Sequence, residues 1–120
     1  MEKRILVVDD EEMNLMRTQV ILGEKYDVVL ADSGVRALHI LKKQKIDLVL
    51  LDIDMPLMNG METFEHMKEF AAEIPVIFLT ASGEVGDVVG ALLLGAVDYL
   101  RKPYRPQELL KRVAQEFEKK

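Results

Sequence analysis

Leu48-Val49-Leu50-Leu51-Asp52-Ile53-Asp54-Met55-Pro56-Leu57-Met58-Asn59-Gly60 sets the architecture of this chain. An uninterrupted apolar run ends in an acidic residue, and a proline and an Asn-Gly pair follow at once. Leu48–Leu51 is too short for a helix and has no polar face. It suits a central strand buried on both faces of a parallel sheet. Pro56 and Asn59-Gly60 punctuate the chain as a loop, so the strand stops near Asp52. Asp52 therefore stands at the carboxyl end of a buried strand, where open α/β sheets place their ligand crevice. An aspartate there either caps the next loop or works as a carboxylate, and this stretch alone leaves both open.

Outward from it, the chain alternates. Ile5–Val8 reads as a first strand that stops at Asp9-Asp10. Glu11 and Glu12 put acid in the first turn of a helix running to about Gly23, with Leu15, Gln19 and Leu22 on one face. Asp27–Ala31 is a second strand, and Ser33 caps a helix carrying Val35, Leu38 and Leu41 at helical spacing. After the central strand, Met61, Phe64 and Met67 mark a third amphipathic helix. Pro75–Leu79 is a fourth strand, with proline only at its first position, where a strand tolerates it. Thr80 ends it.

The segment from Gly83 to Gly95 is a weaker helix. Val85, Val88, Val89, Leu92 and Leu93 keep the period, but Gly86 and Gly90 inside it each cost about 1 kcal/mol against Ala. Val97–Leu100 is a fifth strand, and Pro106 opens a last helix with Leu109, Leu110, Val113 and Phe117 on its buried side. Five strand–helix repeats with short links predict an α/β fold, a parallel sheet with helices on both faces. At 120 residues it is expected to be a single domain over residues 1–120.

Composition narrows the function classes. A net charge of −5 without a basic block argues against direct contact with nucleic acid. The absence of cysteine excludes disulfides and thiolate metal sites. The apolar run Ile5–Val8 is too short for a signal peptide. The longest near-apolar stretch, Val88 to Val97, contains two glycines and falls short of the ~20 residues of a membrane span. A soluble, cytoplasmic protein with no membrane partner is expected.

Every strand but the second ends in a conspicuous polar group: Asp9-Asp10, Asp52, Thr80 and, after the fifth, Lys102. A parallel sheet gathers the carboxyl ends of its strands along one edge, so these residues converge. Three carboxylates together repel one another, and bare, at least one should have a raised pKa. A divalent cation resolves this, and all-oxygen ligation selects a hard ion, Mg²⁺. Mg²⁺ beside a hydroxyl and an ammonium grips a phosphoryl group. Asp52 supplies the nucleophile, since a carboxylate can attack phosphorus in line and form an acyl phosphate.

Taken in order, Ile-Leu-Val-Val-Asp9-Asp10-Glu, Leu-Asp52-Ile-Asp54-Met-Pro56-Leu-Met-Asn-Gly60, Leu-Thr80-Ala and Asp-Tyr99-Leu-Arg-Lys102-Pro103 resemble a response-regulator receiver domain, the phosphoacceptor module of two-component signalling, over nearly the whole length. The resemblance implies a flavodoxin-like sheet of order 2-1-3-4-5. It makes Asp52 the phosphoacceptor, fed by a histidine kinase or histidine phosphotransfer protein. Asp10 and Asp52 would ligate Mg²⁺ directly, with Asp9 nearby and the backbone carbonyl of Asp54 completing the protein's share. Thr80 would be the switch hydroxyl, Lys102 the phosphate partner, and Tyr99 the aromatic that turns inward when Thr80 moves. The Lys102-Pro103 bond would be cis. Asp54 and Ser82 stand where the family tunes the lifetime of the phosphoryl group.

The expected readout surface is the fourth helix, fifth strand and fifth helix, facing a downstream effector, an output domain or a second copy in a phosphorylation-dependent homodimer. The glycine-rich fourth helix is expected to tighten when Thr80 is drawn to the phosphate. Because the chain ends at Lys120 directly after the last helix, a stand-alone receiver or one cut from a larger regulator or hybrid kinase is expected. It modifies only itself and is no turnover enzyme.

Two alternatives come from other classes. Asp52-Ile-Asp54 also matches the Asp-x-Asp of haloacid-dehalogenase phosphohydrolases, which carry it on the first strand and need a longer core. A receiver-like scaffold that is never phosphorylated is the other. An FMN carrier is disfavoured, because Asp9–Glu12 would repel the phosphate. Blander readings stand beside the sharp ones. Asp9-Asp10 suits a helix cap, Thr80 a strand-end hydroxyl, Lys102 a surface lysine and Tyr99 half-buried packing. Met55, Met58, Met61 and Met67 read as loop and core filler, His39 and His66 as structural or surface residues, and Lys42–Lys45 as a solvated helix end.

Overall fold

The computed structural model describes residues 2–81 and 85–119. The strands are β1 (Arg4–Val8), β2 (Asp27–Ala31), β3 (Leu48–Asp52), β4 (Val76–Thr80) and β5 (Asp98–Arg101). The helices are α1 (Glu12–Leu22), α2 (Gly34–Lys43), α3 (Gly60–Ala71), α4 (Val85–Leu93) and α5 (Pro106–Glu118). All pairings are parallel and the order is β2-β1-β3-β4-β5, as the resemblance implied. Lys102-Pro103 is cis.

Alternating strand residues feed two cores. Leu6, Val8, Val49, Leu51 and Phe78 pack with Ala37, Ile40, Phe64 and Met67 from α2 and α3, and with Ala91 from α4. Ile5, Val7, Leu50, Ile77 and Leu79 pack with Leu15 and Leu22 of α1 and Leu109 and Val113 of α5. β3 and β4 are buried along their whole length, which is why they read as continuous apolar runs. Each fully buried Leu or Ile contributes about 1.5–3 kcal/mol of transfer free energy.

Three helix faces differ from expectation. α1 buries Leu15, Thr18 and Leu22, while Gln19 is exposed. The hydroxyl of Thr18 is satisfied inside by Tyr104, so a polar residue takes the inward position. α2 turns Val35 to solvent and buries Ala37, Ile40 and Leu41. In α4, Ala91 is buried but Val89, Leu92 and Leu93 are exposed. Gly83 and Ser82 lie outside the described residues, as do the side chains of Val85 and Val88.

Two glycines permit close approach. Asn59 is the N-cap of α3: its side chain accepts from Glu62 N at 2.9 Å, while Glu62 Oε1 accepts from Asn59 N at 3.1 Å. Gly60 then presses the helix onto the end of β3, since a Cβ there would strike the Asp52 carbonyl. A Cβ on Gly34 would strike Thr63 Oγ1, so the backbone of α2 lies directly against the Thr63 side chain of α3.

Candidate functional site at the carboxyl edge of the sheet

Three strand ends and the segment after a fourth supply the site. β1 stops at Val8, leaving Asp9 and Asp10 at the edge. Asp9 is buried. Its N–H donates to Ala31 O at 3.1 Å, and its Oδ1 accepts from Glu11 N at 3.0 Å, serving the start of α1. Asp9 thus braces the turn into α1, whose N-cap Glu11 receives no side-chain cap, while standing in the site. Asp52 closes β3, also buried, with Oδ1 accepting from Asp54 N at 3.2 Å. Thr80 closes β4 and is buried; its carbonyl accepts from Lys102 N at 2.7 Å, which sets Lys102 beside it.

Lys102 Nζ donates to Asp9 Oδ2 at 2.8 Å and lies 3.2 Å from Asp52 Oδ2. Asp9, Asp10 and Asp52 each offer one carboxylate oxygen, all within 4.8 Å of one another, with Asp10 exposed. Burial pushes the Asp52 carboxyl up to about 6, the nearby Lys102 charge pulling it down and the Asp9 charge pushing it further up. Burial works against the Lys102 ammonium, but its hydrogen bond to Asp9 and the charges of Asp52 and Asp9 reverse that, and its pKa is raised. One ammonium is thus shared by two buried carboxylates, with a third beside them. The donor set is all oxygen, the ligand chemistry of a hard divalent cation, so these residues fit Mg²⁺.

The family model for the response regulator receiver domain matches residues 5–114. The chain belongs to the response regulator receiver family. It is therefore the phosphoacceptor module of a two-component system. Similar proteins include the DNA-binding response regulator MtrA of Mycobacterium tuberculosis, 40% identical over 114 residues, covering 94% of this chain and 50% of MtrA. A CheY-like receiver domain from Methanospirillum hungatei superposes with a TM-score of 0.91 at 32% identity, covering 97% of this chain and 94% of that one. The BeF3-activated DrrB receiver domain superposes equally well, at 0.91 and 31% identity, covering 99% and 100%. The receiver spans about half the length of the curated relatives it matches. Family membership sets aside the phosphohydrolase alternative. Among the described residues no helix is long and apolar enough to cross a membrane.

The geometry brings together Asp9, Asp10, Asp52, Thr80 and Lys102 at the edge of the receiver. Asp54 sits beside them, exposed, touching Asp52 through its backbone N–H. Tyr99 stands apart on edge strand β5, opposite Phe78 and 36% exposed. His39 and His66 are exposed on α2 and α3. Met55 and Met67 are buried, and Met58 and Met61 are partly so, as filler should be. In the sequence, the Asn-Gly pair offers Gly60 only as loop punctuation. The Asn59-x-x-Glu62 capping pattern was its visible signal as the first residue of a helix pressed on the site. The Thr18–Tyr104 hydroxyl pair spans 86 residues, and no local signal announces it.

Proposed function

We propose that Asp52 is the phosphoacceptor of this receiver and takes its phosphoryl group from the phosphohistidine of a kinase or phosphotransfer protein. The observation that carries the reading is Lys102 Nζ placed between Asp9 Oδ2 at 2.8 Å and Asp52 Oδ2 at 3.2 Å in a cluster of three carboxylates. In the step, a carboxylate oxygen of Asp52 attacks phosphorus in line. The P–N bond to the imidazole breaks with its electron pair left on the ring nitrogen, and an acyl phosphate forms. Asp10, Asp52 and the backbone carbonyl of Asp54 would hold Mg²⁺, with Asp9 nearby. The ion, when bound, offsets the negative charge of the transferring group.

Lys102 trades its contact with Asp52 for a phosphoryl oxygen, and Thr80 Oγ1 donates to another. The movement of Thr80 makes room for Tyr99 to turn inward, which alters the α4–β5–α5 face. That face carries exposed Val89, Leu92, Leu93 and Tyr99, the composition of a partner-facing surface. Its reader is an output domain, a separate effector or a second copy of the chain. MtrA is named as DNA-binding. We extend this to the present receiver only as a role for whatever it controls, since the acidic chain itself lacks a basic patch. The receiver catalyses its own phosphorylation and no external turnover, as one cytoplasmic domain over residues 1–120.

The test is intact mass after incubation with Mg²⁺ and acetyl phosphate. One added phosphoryl group is expected, dependent on Mg²⁺ and lost in Asp52→Asn. An adduct that persists in Asp52→Asn would move the acceptor elsewhere. A folded, Mg²⁺-binding wild type that gains none would favour the unphosphorylated scaffold.

A further inference from the structure

Tyr104, two residues beyond Lys102, is held by α1 at three points. Its phenol oxygen lies 2.6 Å from Thr18 Oγ1, with both residues buried. Its carbonyl accepts from Arg17 Nη2 at 2.9 Å. The Arg17 guanidinium carbon lies 5.3 Å from its ring centroid, in cation–π range. The tip, the face and the backbone of one residue are thereby tied to consecutive positions of one helix.

This brace bears on the chemistry for two reasons. An open cavity of about 360 Å³ lies beside Lys102, lined also by Glu11, Arg17 and Tyr104. On that side packing does not confine the lysine, so its place is set by its ion pairs with Asp9 and Asp52 and by how its backbone is held. Upstream, Lys102 N–H is fixed to Thr80 O at 2.7 Å; downstream, Tyr104 supplies the anchor. Moreover, α1 begins directly after Asp9 and Asp10, so the acid pair and the ammonium are suspended from the same helix.

We propose that Thr18, Arg17 and Tyr104 are positioning residues that hold Lys102 at the reach from Asp52 that phosphoryl transfer requires. This rests on the reading of Asp52 as acceptor and Lys102 as its partner. A misplacement of 1 Å in a reacting constellation costs up to about 100-fold in rate. Loss of one hydroxyl contact moves the segment less, and about fivefold to tenfold is expected here.

The experiment measures the rate of phosphoryl adduct formation from acetyl phosphate with Mg²⁺, alongside thermal melting. The variants are Thr18→Val, Tyr104→Phe, their double and Thr18→Ser, each with Lys102 and with Lys102→Ala. With Lys102 present, Thr18→Val and Tyr104→Phe should slow the reaction by the same factor. The double should be no slower than either, because both cut one contact. Thr18→Ser, which keeps the hydroxyl, should restore the rate. With Lys102→Ala, all should agree within about twofold, since the group they position is gone. Equal slowing in both backgrounds, or unchanged rates in folded variants, would overturn the inference. A wild type that takes no phosphoryl group would instead overturn the acceptor reading beneath it.

Discussion

Asp52→Asn should stabilise this protein at neutral pH, although it removes the residue the site is built around. The carboxyl is 3% exposed and titrates at about 6, against an ordinary 3.8. Holding the ionised form in that environment costs about 3 kcal/mol at neutral pH, at 1.36 kcal/mol for each pH unit of displacement. The sign follows from which state binds the proton. Below about pH 4 the folded and unfolded chains both hold it, and the contribution to stability is complete. Between about 4 and 6 the unfolded chain has released it while the folded chain keeps it, so stability falls as pH rises. Above the folded value both are ionised, and the contribution is gone.

Asparagine has no such transition. It also keeps an oxygen able to accept from Asp54 N–H, and it leaves Lys102 its closer partner, Asp9. Urea unfolding in EDTA from pH 4.5 to 7.5 should therefore show the two proteins diverging, with Asp52→Asn ahead by about 2–3 kcal/mol at the upper end. Groups common to both cancel in the difference. Saturating Mg²⁺ should narrow the gap by stabilising wild type more, as any ligand of the folded state does. Parallel stability curves in EDTA, with no divergence between pH 4.5 and 7.5, would refute the reasoning.

Two further substitutions test backbone geometry near the site. Gly60→Ala would place a methyl group 2.7 Å from Ile53 Cα and against the Asp52 carbonyl, where only backbone stands to yield. A loss of about 1–3 kcal/mol is expected by urea denaturation, and a neutral result would mean α3 does not rest on β3 as described. Leu57 adopts φ 67° with its side chain wholly exposed. The left-handed region costs an L-residue about 1–2 kcal/mol, whereas glycine's extra unfolded-state freedom costs about 0.5–1. Leu57→Gly should thus gain roughly 0.5–1 kcal/mol and Leu57→Val should lose stability; thermal melts ranking the two equal would rule out strain at this position.

The central strands were legible because burial on both faces leaves one simple trace, a short apolar run stopped by a polar residue, while the strand order came from the family resemblance. The site was legible for the same reason, since parallel register gathers strand ends whatever their separation along the chain. Helix faces were less so. Periodicity tells which residues share a face, but a polar residue joins the buried face when a distant partner satisfies it. Thr18 displaced Gln19 from the interior of α1 only because Tyr104 waits there, 86 residues away. In α4 a largely apolar segment offers several candidate faces, and the small Ala91 turns inward while Leu92 and Leu93 turn out.

The role of Lys102 before any phosphate arrives was also hidden. Expected as a phosphate partner, it is found paired with both Asp9 and Asp52, which links stability to function. Two buried carboxylates side by side repel each other without a cation, and Lys102 supplies only one charge for the two, with Asp10 adding a third carboxylate. That residual negative charge favours a dication at the edge. In the proposed step, a balancing ion would release Lys102 to follow the phosphoryl oxygens on Asp52. A site that held Asp52 more comfortably, with a second lysine in place of the shared one, would be more stable and would have less reason to take up either ion or phosphoryl group. On this account the elevated Asp52 pKa and the phosphoacceptor chemistry are one property, and a substitution that relieves the first should weaken the second.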